Sequence, residues 1–238
     1  MQFCFLYNLL TMNLDNLMKN RTIKAIFFDM DGVLVDSMEY HLKSWQNLLG
    51  SFNISVSDQF IFENEGAMAP GVIIDLFKKY GYPIDEIKIA DIYSAQNSMF
   101  INQYLPRVSL YPESLPLLNQ LKSIGILTGM VTSSRRNLIE KIWKEEELAY
   151  FSTIISADDT ERFKPYPDPY LKAATEIQQN VSNCLVIENA PAGIQAANSA
   201  GIICFAISST LPNEKLYGAQ QIFPNLRALS EFFKKVLP

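Results

Sequence analysis

The chain has 238 residues, 48% of them hydrophobic and 19% charged, which suits one soluble globular core or a core carrying a smaller inserted unit. Its net charge is −5 and its basic residues are scattered, so neither a nucleic-acid footprint nor a polybasic membrane patch is expected. Cys4, Cys184 and Cys204 match no zinc spacing and read as unpaired thiols of a reducing cytoplasm.

Residues 1–20 read as a non-catalytic extension. The run Phe3 to Leu10 is apolar but too short to span a bilayer. It lacks the basic region and cleavage site of a signal peptide, and Met12 and Met18 are alternative starts. The first strand is Ile23 to Phe28, a bulky apolar run of strand length. It stops at Asp29-Met30-Asp31-Gly32. Asp-Gly alone is a common turn dipeptide. Two carboxylates at the end of a buried strand are nonetheless costly to desolvate unless a cation or donors meet them.

The next hundred residues have helical character. Helices are expected over Glu39 to Leu49 and Val72 to Tyr80, and one longer helix or two shorter ones over Ile84 to Leu105, from apolar residues at helical spacing. An all-helical insert over 38–108 accounts for them, leaving 21–37 and 109–238 as the core. From Pro112 on, helices and strands alternate. Helix Glu113 to Ile124 precedes strand 126–131, and helix Asn137 to Glu147 precedes strand Thr153 to Ser156. Helix Tyr170 to Gln178 precedes strand Cys184 to Ile187, and helix Ala192 to Ala200 precedes strand Ile202 to Ile207. Gly125 and Gly201 mark helix ends, and Pro169 and Pro191 lie near helix starts. Such alternation predicts an α/β fold, a doubly wound parallel sheet of Rossmann-like form covered on both faces. Ligands of such sheets bind at the carboxyl ends of the strands.

Those ends carry a consistent set of polar residues. Thr132-Ser133-Ser134 follows strand 126–131, where hydroxyls and backbone N–H groups suit an anionic oxygen; taken alone, the cluster is a helix cap. Lys164 lies in Lys164-Pro165-Tyr166-Pro167-Asp168-Pro169, where prolines are expected to hold it in an extended, rigid segment. Asp168 reads as a helix N-cap with no chemistry. Glu188-Asn189 follows the strand at 184–187. One rim then collects Asp29, Asp31, Glu188 and Asn189 as oxygen ligands, with Thr132, Ser133 and Lys164 as anion-binding groups. Hard oxygens without His or Cys favour Mg2+. No Walker-type loop is present, so a nucleotide cradle is not indicated.

These four segments resemble the signature motifs of the haloacid dehalogenase superfamily. Asp29 to Ser37 is similar to motif one, Val131 to Ser134 to motif two, Lys164-Pro165 to motif three, and Glu188 to Ala197 to motif four. The helical insert, with Glu39 to Trp45, resembles the small cap of the β-phosphoglucomutase and sugar-phosphatase branch. The resemblance implies Asp29 as nucleophile, Asp31 as general acid and base, and a metal held by Asp29, the Asp31 carbonyl, Glu188 and Asn189. It places Gly32, Thr132, Ser133 and Lys164 around the phosphoryl group. A second carboxylate commonly follows Glu188 in the family; Asn189 stands there instead. The mutases use a cap arginine for a second phosphate, and Glu65 to Pro70 contains none. Hydrolysis of a small phosphomonoester, a sugar or polyol phosphate, is therefore expected, with a mutase as alternative and a non-catalytic phosphate sensor behind it. His41, which assists proton transfer in mutases, keeps that alternative open. His41 and Glu65 are candidate substrate contacts, with Asn64 beside them. The expected partner is a small phosphorylated metabolite, with no nucleic acid or membrane, on a monomer or weak homodimer.

Overall fold

The structure is a computed structural model, and it describes residues 23–64, 70–82 and 86–237. The expected extension at 1–20 and Glu65 lie outside those residues.

Strand β1 (Ala25–Phe28) is buried along its whole length, as a central parallel strand must be. It lies between β4 (Leu127–Val131) and β6 (Cys184–Glu188). With β5 (Thr153–Ile155), β7 (Ile203–Ile207) and β8 (Gln221–Phe223) they form a six-stranded parallel sheet, ordered β5-β4-β1-β6-β7-β8. The chain builds outward from β1 on one side through β4 and β5, then on the other through β6 to β8. The carboxyl end of β1 is thus the switch point of the sheet.

Side chains alternate across β1. Ile26 and Phe28 enter a core with Leu117, Leu121, Leu185, Leu229 and Phe233, under helices α5 (Ser114–Ser123) and α10 (Leu226–Val236). Ala25 and Phe27 enter a second core with Tyr170, Ala173, Ile194 and Ala197, under α8 (Asp168–Glu176) and α9 (Pro191–Ser199). Gly129 lets these layers close, since a Cβ there would stand 2.8 Å from the Phe27 ring.

The helical insert leaves and re-enters through a short antiparallel ribbon, β2 (Val35–Asp36) paired with β3 (Ser109–Leu110). It comprises α1 (Met38–Ser51), α2 (Asp58–Asn64), α3 (Pro70–Lys79) and α4 (Glu86–Met99), then a π-helical turn Phe100–Tyr104 and a 3-10 turn Leu105–Arg107. Its own core gathers Trp45, Leu49, Ile61, Ile73, Phe77 and Ile92. It touches the sheet domain where Phe62 packs on the second core and where Lys215 pairs with Glu63 at 2.8 Å. No described helix is long and apolar enough to cross a membrane.

Several expectations are corrected. The helix expected over Asn137 to Glu147 is two, α6 (Arg136–Ile142) and α7 (Glu145–Leu148). Trp143 is extended between them, which lets its ring bury edge-on against Phe151 at 5.3 Å. Glu147 accepts from the Lys144 N–H and restarts the helix. The stretch expected to be helical up to Leu105 changes winding at Phe100. Strand β8 and helix α10 were not expected at all, although Leu226, Leu229 and Phe233 are spaced for one buried stripe and Asn225 caps the Ala228 N–H.

Phe27 is fully buried between sheet and helices. Phe27→Ala is therefore expected to cost about 3–5 kcal/mol in urea unfolding at constant m-value; a loss below about 1 kcal/mol would show that this layer is not packed as described.

Candidate active site

Each expected site segment leaves a strand at the same edge of the sheet. Asp29 follows β1, and its N–H continues the ladder by donating to the Ile187 carbonyl at 2.9 Å. Thr132 follows β4 and donates its N–H to Ile155 in the same way. Glu188 is the last residue of β6. The backbone thereby delivers Asp29, Thr132 and Glu188 side by side.

Lys164 joins them from the loop after β5. Its Nζ lies 2.6 Å from Asp29 Oδ1, 2.6 Å from Glu188 Oε1 and 2.8 Å from the Val131 carbonyl oxygen. All three ammonium protons are thus used. Lys164 does not sit in an extended segment: the Tyr166 N–H closes a turn onto Phe163 O at 2.8 Å, and the Lys164-Pro165 peptide is cis. Asp168 is not the N-cap either. It is the first residue of α8, and its Oδ1 accepts from Arg162, which steadies the loop.

Glu188 was expected as a metal ligand, but protein donors fill its carboxylate. Oε1 accepts from Lys164 and from the Tyr170 hydroxyl at 2.7 Å. Oε2 accepts from the Asn189 and Ala190 N–H groups at 3.0 and 3.4 Å. Gly193 makes room for this, since a Cβ there would come within 1.7 Å of Oε1. Glu188 therefore anchors Lys164. Tyr170, whose part was not read from the sequence, is its second anchor, and burial first and Glu188 second keep its hydroxyl protonated.

Asp31 points to another set of donors. Ser37 donates to Oδ1 at 2.6 Å, Ser134 donates to Oδ2 at 2.8 Å, and His41 Nε2 lies 3.2 Å from Oδ1. Ser37 lies inside a recognised segment with no part assigned to it, and Ser134 is read from the sequence only as one hydroxyl of the cluster 132–134. Burial alone would raise the Asp31 carboxyl, but His41 and the hydroxyls outweigh it and hold it below the usual range. Thr132 Oγ1 accepts the Ser134 N–H at 3.0 Å and keeps its own proton to donate. Ser133, half-buried, lies between them at the same edge.

The charge balance is uneven. Burial first, and then Glu188 and Asp31, push Asp29 well above the usual carboxylate range against the pull of Lys164. Burial would lower Lys164, but Asp29 and Glu188 together raise it. Both shifts express one fact: two buried carboxylates share a single ammonium, and the set is short of positive charge. Among the described residues no three His, Cys, Asp or Glu side chains converge as a metal cage. Mg2+ does not demand one, because it commonly takes one or two carboxylates and completes its shell with water and substrate phosphate. The donors that fit it are the Asp29 carboxylate, the backbone at Asp31 and the Asn189 amide. Asn189 is buried and its Nδ2 has no partner. Turning that amide over presents its oxygen instead. Gly32, at φ +77°, brings the Asp31–Gly32 backbone against it, and a Cβ at Gly32 would stand 2.2 Å from Nδ2.

The raised Asp29 carboxyl has a measurable consequence. Well below about pH 4 it is neutral in folded and unfolded chains alike. As pH rises from the ordinary value of 3.8 to about 8, the unfolded chain ionises while the folded one resists, so stability is lost through that window. In a chelator, Asp29→Asn is expected to melt above the parent at pH 8, each kcal/mol being about 2–4 °C, with the gap closing toward pH 4. An equal gap at both pH values would contradict the charge balance described.

Comparison with known proteins agrees with the geometry. A family model described as haloacid dehalogenase-like hydrolase matches residues 23–201. The validoxylamine A 7'-phosphate phosphatase of Streptomyces hygroscopicus subsp. limoneus is 30% identical, over 85% of this chain and 94% of its own. The β-phosphoglucomutase of Bacillus subtilis (strain 168) is 28% identical, over 80% of this chain and 85% of its own. The crystal structure of a hydrolase from Pseudomonas syringae has the same fold, with a TM-score of 0.79 at 21% identity, over 90% of this chain and 100% of that one. The chain belongs to the haloacid dehalogenase-like hydrolase family, an enzyme among its phosphatases and phosphotransferases.

Proposed function

We propose that the chain is a Mg2+-dependent phosphatase of a small phosphomonoester, a sugar or polyol phosphate, working through an aspartyl-phosphate on Asp29. The observation that carries this reading is the Lys164 ammonium held 2.6 Å from Asp29 at the switch point of the sheet.

Asp29 attacks phosphorus, a new Asp29 O–P bond forms, and the bond to the substrate oxygen breaks. Asp31 gives a proton to the leaving oxygen. Water then attacks phosphorus, Asp31 takes its proton, and Asp29 is released with inorganic phosphate. One difficult displacement becomes two easier ones. Lys164, Thr132 and Ser133 supply donors for the phosphoryl oxygens, where fixed charge and positioning are most of the catalysis. The Asp29 carboxylate, the Asp31 carbonyl and Asn189 would hold Mg2+, which would supply charge neutralisation at the transferring group. Glu188 acts by keeping Lys164 in place.

Asp31 stands in its base form, because three donors favour the carboxylate. That form suits the second step. The acid form suits the first, and it requires those donors to withdraw. His41 belongs to the insert and Ser37 stands at its base, so movement of the insert about residues near Met38 and 108–112 would change the form of Asp31. Such motions commonly gate access as well.

Three lysines of the insert favour hydrolysis over isomerisation. Lys78 and Lys79 are exposed at the end of α3, and Lys43 pairs with Glu39 on the surface of α1. None of these three is committed to a second phosphate. The mutase reading retains one favouring observation, the contact of His41 with Asp31. A panel of sugar phosphates assayed for released phosphate, then β-glucose 1-phosphate with a bisphosphate primer, separates the two. Net isomerisation with little phosphate release would establish the mutase.

Asp29→Asn is expected to reduce phosphate release to background in that assay, and a variant that still turns over would remove Asp29 as nucleophile. Asn189→Asp adds a formal charge to the metal shell. It is expected to lower the Mg2+ concentration giving half-maximal activity; a higher requirement would contradict the placement of Asn189.

A further inference from the structure

The last element of the insert changes winding at a particular place. Helix α4 ends at Met99 and the chain opens into a π turn, Phe100–Tyr104. Such turns are rare and occur mostly as single inserts in α-helices. The reason is visible in the spacing of the buried residues Gln96, Phe100 and Tyr104. At about 100° per residue, each four-residue step drifts about 40° around an α-helix. A wider turn offsets that drift and keeps Phe100 and Tyr104 facing α1.

Both aromatics grip α1 around His41. The Phe100 ring, fully buried, lies on the imidazole of His41 with centroids 4.0 Å apart and planes inclined by 13°. Tyr104 stacks on Tyr40 at 6.1 Å, and its hydroxyl accepts from Asn47 Nδ2 at 2.6 Å. Aromatic packing elsewhere in the insert is edge-on: Trp45 with Tyr93 at 83°, Phe52 with Phe77 at 68°, and Phe77 with Tyr82 at 66°. The face-to-face pairs occur at the π turn.

We propose that Phe100, presented by this π turn, is the positioning residue for His41. Its ring fixes the imidazole plane and so aims Nε2 at Asp31 Oδ1. The last torsion of a histidine is broad, and the stacked ring narrows it by holding the plane in which Nε2 reaches Asp31 Oδ1. Ser37 and Ser134 orient Asp31 from its own domain, and Phe100 orients the third donor, from the insert. This rests on Asp31 being the group that moves the proton.

His41 is the chain's single histidine, so its imidazole proton resonances need no assignment. In the full-length protein they are expected to lie upfield, shielded by the Phe100 ring. Phe100→Leu is expected to return them to ordinary imidazole positions. It should lower kcat on a sugar phosphate by about 10- to 100-fold, as His41→Ala should, with little change in KM. The double variant should be no slower than His41→Ala, and Phe100→Tyr, which keeps the ring, should restore both readouts. Resonances that are not upfield in the parent, or that stay put in Phe100→Leu, would overturn the proposal. So would losses that multiply in the double variant. If Phe100→Leu does not fold, Phe100→Met takes its place. A parent that releases no phosphate from any substrate would refute the proposed function, whereas the resonance arm tests the Phe100–His41 stack independently of it.

Discussion

One buried ammonium organises the site. Lys164 reaches out of a loop and is shared by two carboxylates, Asp29 on β1 and Glu188 on β6. A buried ion pair repays its desolvation only where geometry is good and the remaining donors and acceptors are satisfied. For Lys164 and Glu188 they are: Val131 takes the third ammonium proton, and Tyr170 and two backbone N–H groups fill Glu188. Satisfying Glu188 so completely leaves Asp29 as the carboxylate with capacity to spare. The same arrangement that stabilises the strand ends thus selects which acid is available to react.

Asp31, two residues on, answers to different neighbours. Its donors come from the loop after β4, from the base of the insert and from α1. The protonation of Asp31 is therefore tied to where the insert stands, while that of Asp29 answers first to its burial, Lys164 and Glu188. Two aspartates with one residue between them are given separate environments, which is how one site can hold a nucleophile and a proton carrier together. The insert also carries its own apolar core, and it meets the sheet domain through Phe62 and through Phe100 and Tyr104 against Leu138.

Much of this is legible in the sequence because central parallel strands are continuous apolar runs, and the residue after each run lands on the same edge. Asp29, Thr132 and Glu188 are found in that way. Lys164 is found from its sequence neighbours, although the turn that holds it is not apparent from them. What escapes reading depends on contacts distant in sequence. Tyr170 looks like any aromatic at a helix start until β6 brings Glu188 to its hydroxyl. Phe100 looks like one more apolar residue of a long helix, since a π turn leaves no simple periodic mark. The break at Trp143 follows from the burial of its ring against Phe151, a contact that local helix propensity overrides in a reading of sequence alone. Helix α10 is different: its apolar spacing and Asn225 cap are a legible signal that the alternation of earlier elements overshadowed.

The stereochemical course at phosphorus tests the central claim most directly. Each in-line displacement inverts the configuration, so transfer to Asp29 followed by transfer to water must restore it. Hydrolysis of an isotopically chiral phosphomonoester in labelled water is predicted to give inorganic phosphate with net retention. Net inversion would mean that water attacks the substrate directly, and would contradict the role of Asp29 as nucleophile.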